Sequence, residues 1–121
     1  MRRILYRPDR ETPPPTRLPL AALAPDDGWC DAPDDPLYNR PVKLPYAARA
    51  EAMWRSDALY DLVVVLGWND APVTPGLGSA IFLHVAGPGY APTEGCVALA
   101  RDDLLHVLGE ADPASRVILA P

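Results

Sequence analysis

Hydrophobic positions in this chain come in short runs separated by long polar, proline-rich intervals, and two of the runs are apolar at nearly every position. The segment Asp61–Gly67 carries Leu62-Val63-Val64-Val65-Leu66, a β-branched run with no polar alternate. A strand that offers apolar side chains to both faces must be covered on both, so this run predicts a central strand. Ala80–Val85 predicts a second buried strand, with His84 near its end. Arg3–Arg7 alternates, placing Ile4 and Tyr6 on one face and Leu5 on the other, and predicts a short strand. Arg101–Gly109 changes to helical spacing, with Leu104, Leu105 and Leu108 turned inward. Asp102 and Asp103 fall in its first turn, where the helix dipole favours carboxylates. Ser115–Ala120 predicts a closing strand.

The intervals are less regular. Residues 8–19 concentrate five prolines and read either as a stiff ordered loop or as a disordered one. Ala24–Tyr46, dense in Asp, Pro, Gly and Asn, predicts a long irregular loop, a feature that is uncommon in a compact domain and often functional. Ala47–Asp57 predicts a helix of two or three turns carrying Met53 and Trp54, and Asn69–Ser79 predicts turns. Sixteen prolines in 121 residues is more than twice the typical ~5%. Proline removes amide donors and breaks helices, which points to an all-β or α+β domain with long ordered loops.

A chain of 121 residues builds one modest core. Its formal charge of −5 argues against a nucleic-acid surface, which needs clustered Lys and Arg; Arg2, Arg3, Arg7, Arg10 and Arg17 form the only loose cluster. The sequence has no apolar run long enough to span a membrane, and the basic start Met1-Arg2-Arg3 is not followed by the hydrophobic stretch of a signal peptide. Two cysteines are too few for a disulfide framework and do not settle the redox compartment.

The usable chemistry is concentrated between Ala80 and Leu99. An apolar strand ends near His84, a Gly/Pro loop follows, and Thr93-Glu94-Gly95-Cys96 leads into another apolar run. A cysteine needs a base to act as a nucleophile at neutral pH, and amides to hold the oxyanion it creates. His84 is the candidate base, Cys96 the nucleophile, and the Gly95 and Cys96 amides the oxyanion donors. By spacing alone the plainer alternative stands beside it: a small buried thiol and a satisfied core histidine. Cys30, His84, Cys96 and His106 lack the paired spacing of a metal site, and no cofactor is expected. Cys30, in a turn-rich loop, reads as a structural thiol, a disulfide partner of Cys96 or a site-lining group; the unpaired thiol is favoured because a bond to Cys96 would block catalysis. Trp29, Tyr38 and Asn39 are candidates for a substrate groove or for ordinary packing, and Arg40 for a carboxylate partner or a surface charge. Asn69 and Asp70 read as turn formers and His106 as solvent-facing.

His84, the glycine-containing loop and Thr93-Glu94-Gly95-Cys96-Val97 resemble the active-site signature of the L,D-transpeptidase catalytic domain, the YkuD-like family: a histidine, a spacer of somewhat over ten residues, Ser or Thr, a variable residue, Gly, Cys and an aliphatic. Gly28-Trp29-Cys30-Asp31, Tyr38-Asn39-Arg40-Pro41-Val42 and Ser79–His84 are similar to a bacterial subgroup of small single-domain members, so the likeness covers nearly the whole chain. The resemblance implies a mostly β fold, a β-sandwich with one or two short helices and long Pro-rich loops. It implies a cysteine acyltransferase acting on peptidoglycan stem peptides in the periplasm or cell envelope, through a thioester on Cys96 with His84 as base and Thr93 near the site. The alternatives are an L,D-carboxypeptidase or amidase on the same scaffold, or a non-catalytic cell-wall-binding domain. Three departures from the pattern stand out. Val85 replaces the Gly or Ser usually found after the histidine, which leaves the orientation of the imidazole open. Ala98 and Leu99 occupy the region where a basic residue often follows the cysteine. Members usually carry further residues before the point matching Arg3, so residues 1–121 are expected to form a single catalytic domain lacking N-terminal strands.

Overall fold

A computed structural model describes residues 1–90 and 95–118. Eight strands and one α-helix make up its regular structure: β1 Arg3–Tyr6, β2 Leu20–Ala22, β3 Asp27–Cys30, β4 Pro41–Lys43, β5 Ala50–Ala52, β6 Leu62–Val65, β7 Phe82–Val85, β8 Val97–Leu99 and α1 Arg101–Glu110. A five-stranded sheet runs β2-β1-β6-β7-β8, and a three-stranded sheet runs β4-β3-β5. The fold is mostly β, as the apolar runs and the proline content require.

The doubly apolar run of β6 does lie at the centre of the larger sheet, antiparallel to β1 on one side and β7 on the other. Alternation then sorts its side chains between two cores. Leu62 and Val64 join Ile4, Leu83, Val85, Leu104 and Leu108 in one core, beneath α1. Val63 and Val65 join Trp29, Met53, Tyr60 and Phe82 in the other, toward the smaller sheet. β1 divides the same way: Ile4 and Tyr6 pack on the helix side, Leu5 on the other. Helix α1 buries Leu104 and Leu108, half-buries Leu105 and leaves His106 in solvent.

Three expectations are corrected. Ala47–Asp57 is not helical: Ala50–Ala52 forms β5 and pairs antiparallel with β3, Trp29 opposite Glu51. Helix propensity is a weak preference, and here pairing with β3 and burial of Met53 outweigh it. Ala24–Tyr46 is not a structureless loop, because it contains β3 and β4, antiparallel to each other. Gly28, Trp29 and Cys30 are all buried in β3, so this strand too is covered on both sides. Residues 115–118 form no strand; the rest of the expected closing strand lies outside the described residues. The proline-rich segment is ordered, with Leu18 in the helix-side core and Glu11 accepting both a 2.6 Å and a 2.5 Å bond from Arg101.

Candidate active site

Strand β7 carries the candidate base. Phe82 and His84 alternate with Leu83 and Val85, so His84 points away from α1 and is 3% exposed. Its Nδ1 lies 2.8 Å from the carbonyl oxygen of Val85. A carbonyl only accepts, so this bond assigns the proton to Nδ1 and leaves the lone pair on Nε2. The imidazole is therefore oriented by a backbone atom of Val85, whose side chain belongs to the opposite core. That explains how a bulky residue is accommodated after the histidine.

Cys96 stands one residue before β8. The parallel register sets Leu83 opposite Val97 and His84 opposite Ala98, which brings Cys96 to the level of Phe82. The thiol donates to the Ala80 carbonyl at 3.2 Å and accepts the Phe82 N–H at 3.4 Å. At rest the sulfur is thus bonded to the head of β7, two residues before His84, on the face the imidazole shares. Burial pushes the thiol pKa above its usual value; the Phe82 amide works in the opposite direction, and the charge on Glu51 adds to the rise. Gly95 has φ +82°, a left-handed conformation in which a side chain is strained. Thr93 lies outside the described residues.

Two residues on this face went unnoticed in the sequence. The Tyr60 ring meets the His84 ring edge-on, with centroids 5.5 Å apart, and the Tyr60 hydroxyl donates to the Glu51 carboxylate. Burial pushes the Glu51 pKa up, against the pull of the Tyr60 bond and of the positive charge on Arg55. Glu51 was concealed because its segment read as a helix, and Tyr60 has no sequence signal that separates it from a core aromatic.

The head of β7 opens onto a groove of about 340 Å³ between the two sheets, with Phe82, Ile81 and Trp29 on its apolar side and Arg2, Arg3 and Arg40 among its polar residues. Three candidates for the substrate groove therefore belong to it: Trp29, Asn39 and Arg40. Trp29 and Phe82 pack edge to face at 5.0 Å. Asn39, buried and at φ +59°, accepts the Trp29 indole N–H at 3.0 Å and donates to the carbonyls of Trp68 and Asn69 at 2.9 and 2.7 Å. Arg40 donates to the Asp70 carbonyl at 2.7 Å. Tyr38 is buried behind the groove, its hydroxyl accepting the Gly78 amide at 3.1 Å. Asp70, expected only to form a turn, holds Arg2 through two 3.0 Å bonds at the groove rim. Asn69 keeps its turn role, bonding to the backbone of Thr74 and Gly78. A second cavity of about 470 Å³ includes Gly95 and Val97 and shares Ile81, Gly67 and Trp68 with the groove. Cys30 is fully buried, is not bonded to Cys96 and places its sulfur 3.6 Å from Asp35. It is a structural thiol.

The family model for the L,D-transpeptidase catalytic domain, YkuD, matches residues 1–119. The chain belongs to this family. No curated protein and no solved structure matches it significantly. Membership of the YkuD family ties the chain to L,D-transpeptidases and to peptidoglycan, and so to the cell envelope. Among the described residues no helix is long and apolar enough to cross a membrane. The match covers the histidine strand, the cysteine strand and every residue that lines the groove between the sheets.

Proposed function

We propose that this YkuD domain is a cysteine acyltransferase acting on peptidoglycan stem peptides in the periplasm or cell envelope, with Cys96 as nucleophile and His84 as general base. The reading is supported by a thiol and a buried, backbone-anchored imidazole on the same side of one sheet, with Ile81 and Phe82, the segment the thiol bonds to, lining a groove. The resting thiol is protonated and bonded to Ala80. Activation requires Sγ to leave that carbonyl for Nε2, which takes its proton. The thiolate then attacks the peptide carbonyl after the third residue of the stem. The C–S bond forms and the C–N bond breaks, and the imidazolium returns its proton to the departing D-alanine amine. The left-handed turn at Gly95 directs its amide and that of Cys96 to the developing oxyanion. Attack by an amine of a second stem breaks the C–S bond, forms a new amide and frees the thiol. Two cavities that share Ile81 offer space for a donor and an acceptor stem. Trp29, Asn39 and Arg40 bound the donor groove, with Thr93 beside the nucleophile in sequence and Tyr38 supporting the groove from behind.

Intact-mass spectrometry after incubation with a carbapenem tests the assignment. One adduct on Cys96 is expected, absent in Cys96→Ala and much slower to form in His84→Ala. A folded wild-type protein that stays unmodified, or carries the adduct on Cys30, overturns it. Product analysis of a tetrapeptide stem, with and without an added amine acceptor, separates transfer from hydrolysis.

A further inference from the structure

The basic residues of this acidic chain are not distributed at random with respect to their partners. Among the described residues the ion pairs take up Lys43 and every arginine but four: Arg3, Arg17, Arg40 and Arg116. Arg3 and Arg40 line the same groove, the one that opens at Ile81 and Phe82 beside the thiol. They approach from opposite sheets, Arg3 from β1 and Arg40 from the residue before β4. The Arg3 guanidinium carbon lies 5.8 Å from the centre of the Trp29 ring. Arg40 spends two of its donors on the carbonyls of Asn39 and Asp70, at 3.3 and 2.7 Å. Those bonds orient the guanidinium and leave its charge uncompensated. The groove also holds Arg2, but Asp70 occupies it. Two cations thus remain unneutralised at an apolar cleft, on a chain whose net charge is −5. A field of that sign at that place selects an anion.

We propose that Arg3 and Arg40 form a two-point carboxylate clamp, so that the groove takes an acyl donor bearing two free carboxylates and discriminates against its amidated form. The apolar wall of Trp29, Phe82 and Ile81 packs the aliphatic part of the donor, and each guanidinium forks onto one carboxylate. Specificity follows from desolvation. A primary amide has no charge to offer two half-buried guanidinium groups and brings its own donors against theirs. The Asp70 carboxylate, held by Arg2 in the same groove, opposes an incoming anion. The clamp deepens the acyltransferase reading by naming the chemical class of its donor.

The test compares binding of a stem tetrapeptide with both side carboxylates free, the same peptide with both amidated, and the simple dianion glutarate, to folded wild-type and variant proteins, by calorimetry and by amide chemical shifts. The free peptide is expected to bind at least tenfold more tightly than the diamide, with affinity falling steeply as salt is raised, and glutarate is expected to shift the amides of Arg3, Trp29 and Arg40. Arg3→Gln or Arg40→Gln should abolish the preference, Arg17→Gln should leave it intact, and Asp70→Asn should tighten binding. Should Arg3→Gln fail to fold, Arg40→Gln and Asp70→Asn still decide the matter. Equal binding of free and amidated peptide, or no glutarate shift, overturns the clamp even when a carbapenem acylates Cys96. Glutarate binding that depends on Arg40, without any acylation of Cys96, upholds the clamp and overturns the enzyme reading.

Discussion

The backbone N–H of Ala80 donates to the side-chain oxygen of Asn39 at 3.3 Å, joining two residues 41 positions apart in the chain. The Ala80 carbonyl accepts the Cys96 thiol on its other side. Ala80 is held at φ +57°, a left-handed conformation that costs a non-glycine residue roughly 1–2 kcal/mol. Asn39 is therefore linked to the Cys96 thiol through one strained residue. It also fastens Trp29 and the 68–70 turn, so the wall of the groove and the resting place of the sulfur share one buried amide.

Asn39→Ala removes this hub and leaves the Trp29 indole N–H, the Ala80 N–H and two carbonyls without their partner. A loss of about 2–4 kcal/mol is expected, since each buried polar group left unpaired costs ~1–3 kcal/mol and relaxation recovers part of it. Urea denaturation measures it. Unchanged stability would mean that the Asn39 bonds do not order the site. Ala80→Gly should by contrast fall within about 1 kcal/mol of wild type, because relief of strain offsets the added freedom of the unfolded chain.

Gly95→Ala tests the turn before Cys96. At φ +82° an added methyl group is strained and would sit 3.3 Å from the Ile81 side chain. The stability loss should be about 1–2 kcal/mol, close to that of Gly76→Ala, which has the same φ and open space around it. Acylation by a carbapenem should drop at least tenfold in Gly95→Ala and stay unchanged in Gly76→Ala. Equal acylation of the two variants would remove Gly95 from the proposed oxyanion site.

The tautomer of His84 is readable directly. In the neutral imidazole, long-range 15N–1H spectra should report a protonated Nδ1 and an unprotonated Nε2 for His84, the tautomer its bond to the Val85 carbonyl requires. His106, exposed near Glu110, should average between tautomers. A protonated Nε2 on neutral His84 would leave the thiol without a base.

Burial and the nearby Glu51 charge raise the Cys96 pKa, so alkylation by iodoacetamide should keep accelerating above the usual thiol range, with Cys30 reacting far more slowly because it is fully buried. Glu51→Gln should move the alkylation midpoint of Cys96 down. The sign for stability follows from the same burial: a Glu51 pKa raised in the folded state stabilises below the ordinary carboxyl value, and that contribution is lost as pH rises through the folded pKa. The stability of Glu51→Gln relative to wild type should therefore improve as pH rises from acid toward neutral, by urea midpoints. An alkylation midpoint unmoved by Glu51→Gln would place that charge too far from the sulfur to matter.

What could be read from residues alone were the features determined by local pattern. The all-apolar run at Leu62–Val65 required cover on both faces, and the alternation at Ile4, Leu5 and Tyr6 assigned each to its core. The spacing of Leu104 and Leu108 required a helix, and His84, Gly95 and Cys96 stood in a signature specific enough to name the family. Tertiary structure decided what local pattern cannot encode. Residues 50–52 became a strand because β3 offered an edge to pair with, and Glu51 thereby reached Tyr60 and the imidazole face. Arg3 and Arg40 met in one groove because the two sheets pack face to face, a juxtaposition of residues far apart in the chain. The resting place of the thiol, on Ala80 and Phe82, depended on the register of two parallel strands, which is set by packing across the whole sheet.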